Sequence, residues 1–308
     1  MSILSGNGTI DKQFLKDRIS YLLREKCYIT ISPDVMYLME KSYEEETSDS
    51  AKEMLRTMIE NVRMAETQKK PVCQSPGFPT AYIRWGKGMD IAGLKDILKE
   101  EIVNDTKDGF LRPSMVHPLT RKNTGDNSGV GVPNMELEYE PTLDFMEILI
   151  SFKGCGAELG NAIRIFTPAQ IGEDAKGIKE FVIDTVIKAG GKPCPPIALG
   201  VGIGGQMDVA AKLSRRAVSV RKWTDHSPDP EIARMEEEIL GMINQLGIGP
   251  GGVGGKATAL AVKIESAYTH IAICPVAVNF HCWVARRGGM RIYPTGRIEY
   301  LFEGKDKK

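Results

Sequence analysis

The segment PCPPIALGVGIGG, residues 193–205, is the stretch on which the reading of the fold turns. Gly200, Gly202 and Gly205 match the G-x-G-x-x-G spacing of a dinucleotide turn, and Asp225 follows at a suitable distance. A doubly wound sheet would then need a second parallel strand directly after the helix, ending at that acidic residue. Residues 223–230 read WTDHSPDP instead, and two prolines exclude a central strand there. A nucleotide-dependent oxidoreductase working through Gly200–Gly205 is therefore the weaker reading. The second glycine run, GIGPGGVGGKAT at 247–258, has Pro250 and Ala257 where a phosphate loop needs Gly and Ser or Thr. Its amides, with a helix expected from about Lys256, could draw an anion, or its glycines could serve close backbone packing. The residues leave both open.

Around this segment, periodicity divides the chain coarsely. Residues 10–70 read as helical, with Ser32-Pro33-Asp34 as one helix start and Ser48 or Asp49 as another. Lys69-Lys70-Pro71 breaks the pattern, Thr80–Trp85 reads as a strand, and Asp90 opens a helix to about Asn104. From Arg112 to Pro133 the periodicity disappears, and a polar loop of that length usually has a task. Strand is expected within 137–152, helix over 175–189, strand over 197–200, and helices over 207–218 and 230–245. The charged tail GKDKK is expected to fray. No repeat or linker interrupts the chain. The expectation is an α+β fold, a single mixed helix-and-sheet catalytic domain over 1–308 with a helical N-terminal region over 1–70.

Composition excludes several functions. Lys+Arg and Asp+Glu are equal at 40 each, so no global charge bias points to nucleic acid or a membrane surface. No run approaches the roughly 18 apolar residues of a membrane span, and the N-terminus lacks the apolar region of a signal peptide. The expected compartment is the cytosol. There the six cysteines are buried thiols, metal ligands or catalytic groups rather than a disulfide scaffold. No C-x-x-C pair occurs. Cys73, Cys194 and Cys282 lie at the ends of expected elements, where side chains reach a site, while Cys27 and Cys274 read as core. Spacing alone leaves a shared three-cysteine site unproven.

Several segments nevertheless resemble one family. They are PVCQSPG (71–77), LRPS (111–114), TRKNTGDN (120–127), KGCG (153–156), the two glycine segments, THIA (269–272) and CWVARR (282–287). In order and content they resemble the α subunit of the tartrate dehydratase and class I fumarase family of hydro-lyases. They cover roughly residues 70–290, and the two glycine segments with PCPP are the most specific part. The resemblance implies a [4Fe–4S] cluster held by Cys73, Cys194 and Cys282, within a cluster and substrate region of 71–290. It leaves one iron open as a Lewis acid for a small dicarboxylate or hydroxy acid. By the same resemblance Arg112 holds a substrate carboxylate through its planar fork, and His270 touches substrate as a catalytic group. Taken alone, Arg112 would suit a surface salt bridge and His270 a satisfied core histidine. Gln74, Ser75 and the backbone at Gly156 fall at further substrate contacts.

The chain departs from the family pattern twice. Where the family carries an acidic residue beside the cluster, this chain has Ser75, followed by Pro76, which should stiffen the turn. A Gly-Gly-Gly-Ser run is replaced by Gly154-Cys155-Gly156-Ala157. The reaction class is therefore better supported than the substrate. The resemblance further implies a separate β subunit that completes the site, in an αβ pair assembled as a heterotetramer. A non-enzymatic iron–sulfur carrier would need only the cysteines, whereas Arg112, His270 and the polar loop point to an anionic ligand.

Overall fold

The computed structural model describes residues 10–75 and 77–303. Pro76 and the tail 304–308, where a stiff turn and a frayed end are expected, lie outside them. The chain opens with helices α1 (Lys12–Tyr21), extended as a π-helix to Tyr28, α2 (Pro33–Glu45) and α3 (Asp49–Gln68). There follow β1 (Phe78–Trp85), α4 (Leu94–Lys107), β2 (Asn134–Tyr139) and β3 (Met146–Lys153). Next come α5 (Cys155–Leu159), β4 (Ala162–Phe166), α6 (Pro168–Ile171), α7 (Lys176–Ala189) and β5 (Ile197–Gly204). The chain closes with α8 (Met207–Val220), α9 (Pro230–Gln245), β6 (Ala259–Ala267), β7 (Cys274–His281), β8 (Arg287–Ile292) and β9 (Ile298–Leu301). This is the expected α+β composition with helices at the N-terminus.

Local chemistry explains most boundaries. Asp11 caps α1 by accepting from Phe14 N–H at 2.7 Å, and α2 and α3 begin at the residues the cap signals mark. α4 starts at Leu94 rather than Asp90, because Asp90 closes a turn by accepting from Ala92 N–H at 2.8 Å. Gly93, at φ 77°, then stands at the cap.

The described residues form two compact units, each with its own sheet and core. Unit 1 comprises the residues up to Pro33, Asn61–Lys153 and those from Val284 onward. Its sheet has the order β2-β1-β3-β8-β9, with β1 and β2 parallel and the other neighbours antiparallel. β3 is buried along its whole length, and Ile148 and Ile150 share its core with Leu22, Leu23, Ile97 and Ile102. Unit 2 comprises Asp34–Glu60 and Gly154–Trp283. Its sheet has the order β4-β7-β5-β6, in which β5 and β6 are parallel and joined through α8 and α9. Val182, Val201, Ile239, Val276 and Phe280 lie at its centre.

β5 continues through Gly204, four residues past the expected strand end. Its glycines are there for packing. A Cβ at Gly200 would lie 1.8 Å from the carbonyl oxygen of Ser214 on α8, and one at Gly202 would lie 2.0 Å from that of Ala210. The missing side chains let the helix backbone rest directly on the strand. Asp225 likewise has an internal role, since it pairs with Arg221 at 2.8 Å and Lys263 at 3.3 Å. The dinucleotide-like spacing is thus accounted for by helix-on-strand packing. Gly200→Ala should therefore destabilise the chain by about 3 kcal/mol, the upper range for overpacking. A urea unfolding midpoint unchanged from wild type would contradict this account.

Candidate functional site

Unit 2 brings Cys194 and Cys282 to one end of its sheet. β5 and β7 run antiparallel with Ala198 opposite His281, so the residues before β5 and after β7 emerge side by side. Cys194 stands three residues before β5 and Cys282 immediately follows β7. Cys194 is exposed and holds φ at 58°, a left-handed conformation unusual for a residue with a Cβ. The glycine run at 247–255 braces this segment, with Gly251 N–H donating to the Pro195 carbonyl at 2.7 Å. Gly156 braces it too, for a Cβ there would lie 2.1 Å from the Lys192 carbonyl oxygen. Any side chain at 156 would push the Cys194 segment aside. Cys155, at the first turn of α5, is exposed.

The amides at the end of the second glycine run do meet an anion, an internal one. No helix begins near Lys256; strand β6 follows from Ala259. The N–H groups of Lys256 and Ala257 donate to Oε2 of Glu46, at 2.8 and 3.4 Å. Its Oε1 accepts from Thr47 and Ser48 N–H, at 2.8 and 3.0 Å. Burial alone would raise the Glu46 carboxyl, but these four donors outweigh it and hold the carboxyl below the usual glutamate range. A lone glutamate far from the run in sequence gave no signal of this role.

Unit 1 assembles a second group. Gln74 O accepts from Arg112 N–H at 2.9 Å, which seats Arg112 beside the Cys73–Ser75 turn. The Gln74 side chain donates through Nε2 to the Gly109 carbonyl at 2.8 Å, so part of its amide is already committed to the loop. Beneath the turn, Arg286 is 2 % exposed and donates through Nη1 to the Cys73 carbonyl at 2.9 Å. The Arg112 and Gln74 side chains are exposed, while Cys73 and Ser75 are half-buried. Arg286 lies within the CWVARR segment, yet nothing in that string marks it as the support of Cys73.

The remaining candidates divide clearly. Cys27 and Cys274 are buried, as expected of core thiols, and burial raises the pKa of both. Asp105 in unit 1 is pushed up to about 6 by burial, despite a 2.7 Å contact with Arg24. His270 stays with neither Cys194 nor Cys282. It lies in the loop between β6 and β7, which is pinned to the far end of β5 by Thr269 Oγ1 donating to the Gly205 carbonyl at 3.0 Å. β7 has eight residues, and at about 3.3 Å per residue its length of roughly 23 Å lies between the His270 loop and Cys282. The alternative of a satisfied core histidine fails, because His270 is exposed. Among the described residues, no three His, Cys, Asp or Glu stand close enough to hold a metal ion. Unit 2 supplies two thiols at one sheet end, chemically suited to iron but one short of three. No helix among the described residues is long and apolar enough to cross a membrane.

Unit 2 thus offers thiols and glycine-braced backbone at one sheet end, and unit 1 an exposed arginine beside another thiol. The chain belongs to the fumarate hydratase family of hydro-lyases. The sequence model of the family described as "Fumarate hydratase (Fumerase)" matches residues 17–291. A Methanocaldococcus jannaschii protein, provisionally named L(+)-tartrate dehydratase subunit alpha, is 40% identical over 282 residues, covering 90% of this chain and 97% of its own length. The L(+)-tartrate dehydratase subunit alpha of Escherichia coli is 33% identical over 87% of this chain and 88% of its own length. A protein of Geobacillus stearothermophilus, provisionally named class I fumarate hydratase, is 36% identical over 82% of this chain, but that match spans only 50% of its own length.

The burial pattern predicts the order of thiol reactivity. In the folded, metal-free chain Cys155 and Cys194 should alkylate with iodoacetamide first, and Cys27 at least about a hundredfold more slowly. Peptide mass spectrometry over a time course reads this out. Fast labelling of Cys27 would contradict the placement of that thiol.

Proposed function

We propose that the chain is the cluster-binding α subunit of a two-subunit hydro-lyase, acting on a small dicarboxylic or hydroxy acid of the fumarate/malate or tartrate type. Family membership supports the reaction class, and the observation that carries the site is the meeting of Cys194 and Cys282 at the β5–β7 end. On this reading residues 1–308 act as one α-type module, and Cys73, Cys194 and Cys282 hold a [4Fe–4S] cluster. Such a cluster, when bound, leaves one iron without a thiolate, available as a Lewis acid toward the substrate hydroxyl. Arg112 binds a carboxylate through two parallel N–H donors, Ser75 and Gln74 Oε1 offer polar contacts beside it, and Gly156 offers backbone. Ser75 cannot relay a proton as a carboxylate would, so proton transfer falls to other groups. A β subunit supplies those groups, consistent with the alpha-subunit names of two relatives. The cytosol, whose reducing poise keeps thiols unpaired, suits six cysteines that form no disulfide.

His270 needs a different arrangement. One chain cannot bring His270 and Cys282 to the same small acid across roughly 23 Å of strand. His270 therefore serves the site of a second copy within the heterotetramer. Its loop carries Tyr268 and Ile271 at 105% and 88% exposure, apolar surface suited to burial against protein.

Two experiments test this reading. Anaerobic reconstitution of the complex with Cys194→Ser should yield much less cluster iron and no turnover on a panel of dicarboxylic and hydroxy acids; normal iron content would sink the ligand assignment. Co-expression of His270→Asn with Cys194→Ser chains, each inactive alone, should restore about a quarter of wild-type activity if half the α pairs are mixed and carry one complete site. No recovery would place His270 outside a shared site.

A further inference from the structure

The loop from Arg112 to Pro133 has an internal lock. Its first half folds back as a finger. Val116 bridges to Asn123, His117 N–H donates to the Lys122 carbonyl at 2.9 Å, and Thr124 N–H donates to the Met115 carbonyl at 3.0 Å. The finger carries the exposed Leu119, Arg121 and Lys122 at its tip. At its base one side chain joins both ends. Asn127 is 2 % exposed and adopts φ 59°, a left-handed conformation that asparagine tolerates better than most residues.

All its hydrogen-bonding capacity on this face is spent on the Arg112 segment and α4. Oδ1 accepts from Ser114 N–H at 2.7 Å and from Met115 N–H at 3.2 Å. Nδ2 donates to the Arg112 carbonyl at 3.0 Å and to Thr106 Oγ1 at 2.9 Å. Thr106 is itself fixed on the last turn of α4, donating to the Ile102 carbonyl at 2.8 Å. The backbone of Arg112 is thus held by Gln74 at its N–H and by Asn127 at its carbonyl, which also accepts from Ser114 Oγ at 3.2 Å. Buried polar groups with complete partners are costly to disturb, because every lost bond leaves a desolvated donor or acceptor.

We propose that Asn127 is a positioning residue for Arg112, fixing the backbone from which the guanidinium is presented to the substrate carboxylate. The proposal rests on the reading of Arg112 as a substrate ligand. A side chain on a loosened backbone still carries its charge, but it samples orientations in which the two-pronged contact is lost. The consequence is weaker binding in both ground and transition states, seen mainly in KM.

The test uses the reconstituted αβ enzyme. Asn127→Gly suits the left-handed backbone and removes only the carboxamide; Asn127→Asp keeps the acceptor for Ser114 and Met115 and loses both donors. Asn127→Gly should raise KM about tenfold or more with kcat within about threefold, and Asn127→Asp should fall between it and wild type. Cluster iron should be unchanged in both. Because Arg121 and Lys122 stand exposed at the tip of the finger, trypsin should also cut the Asn127→Gly chain there several-fold faster, which reads the lock without turnover. Combined with Arg112→Lys, the effect on KM should be less than additive. If Arg112→Lys raises KM while Asn127→Gly leaves both KM and trypsin cutting at wild-type values, the lock is overturned and the substrate reading stands. If Arg112→Lys leaves kcat/KM unchanged, the substrate reading falls and the proposal with it.

Discussion

The antiparallel pairing of β5 with β7 is the constraint on which the candidate site depends. With Ala198 opposite His281, the register delivers the residues before one strand and after the other to the same edge of unit 2. A slip by one residue would turn every side chain of β5 to the opposite face, moving Val201 and Leu199 out of a core they share with Val276 and Phe280. The register is therefore held by burial along both strands. Cys194 and Cys282 are brought to one sheet end by the register that the core holds. The same pairing carries the β6–β7 loop, and His270 with it, to the opposite edge.

Three buried polar side chains then fix the loops that the sheets leave open. Glu46 gathers four backbone N–H groups from the α2–α3 connection and the second glycine run, and so steadies the backbone that braces Cys194. Arg286 holds the carbonyl of Cys73 from within the core of unit 1. Asn127 closes the base of the Arg112 finger. Loops cannot be packed by apolar contact alone, since their backbone groups need partners once water is excluded. A buried carboxylate, guanidinium or carboxamide satisfies several at once. The pattern gives these loops the rigidity expected of strand and helix.

Glycine has the opposite use here. At Gly200 and Gly202 the absence of a side chain lets α8 lie on β5, and at Gly156 it lets α5 approach the Lys192 carbonyl. The G-x-G-x-x-G spacing of the first invites a ligand-binding interpretation in one dimension. In three dimensions the space that glycine leaves is filled by the chain itself, backbone against backbone.

Much of this was legible in the residues. Cap signals at Ser32-Pro33-Asp34 and Asp49 mark two of the N-terminal helices, the prolines of 223–230 exclude a nucleotide sheet, and ordered motifs from PVCQSPG to CWVARR carry the family. These are local properties, set by neighbours within a few positions. Other features were not legible. That Gly200–Gly204 is strand, that Glu46 occupies the glycine-run amides, that Arg286 supports Cys73 and that His270 stands a strand length from Cys282 all depend on residues far apart in the chain. Sequence by itself determined which residue types are available and where elements begin, because caps, turns and periodicity act over one or two turns of chain. Only the tertiary structure decided which of those residues share a site, because strand register and buried hydrogen bonds join positions that no local pattern connects.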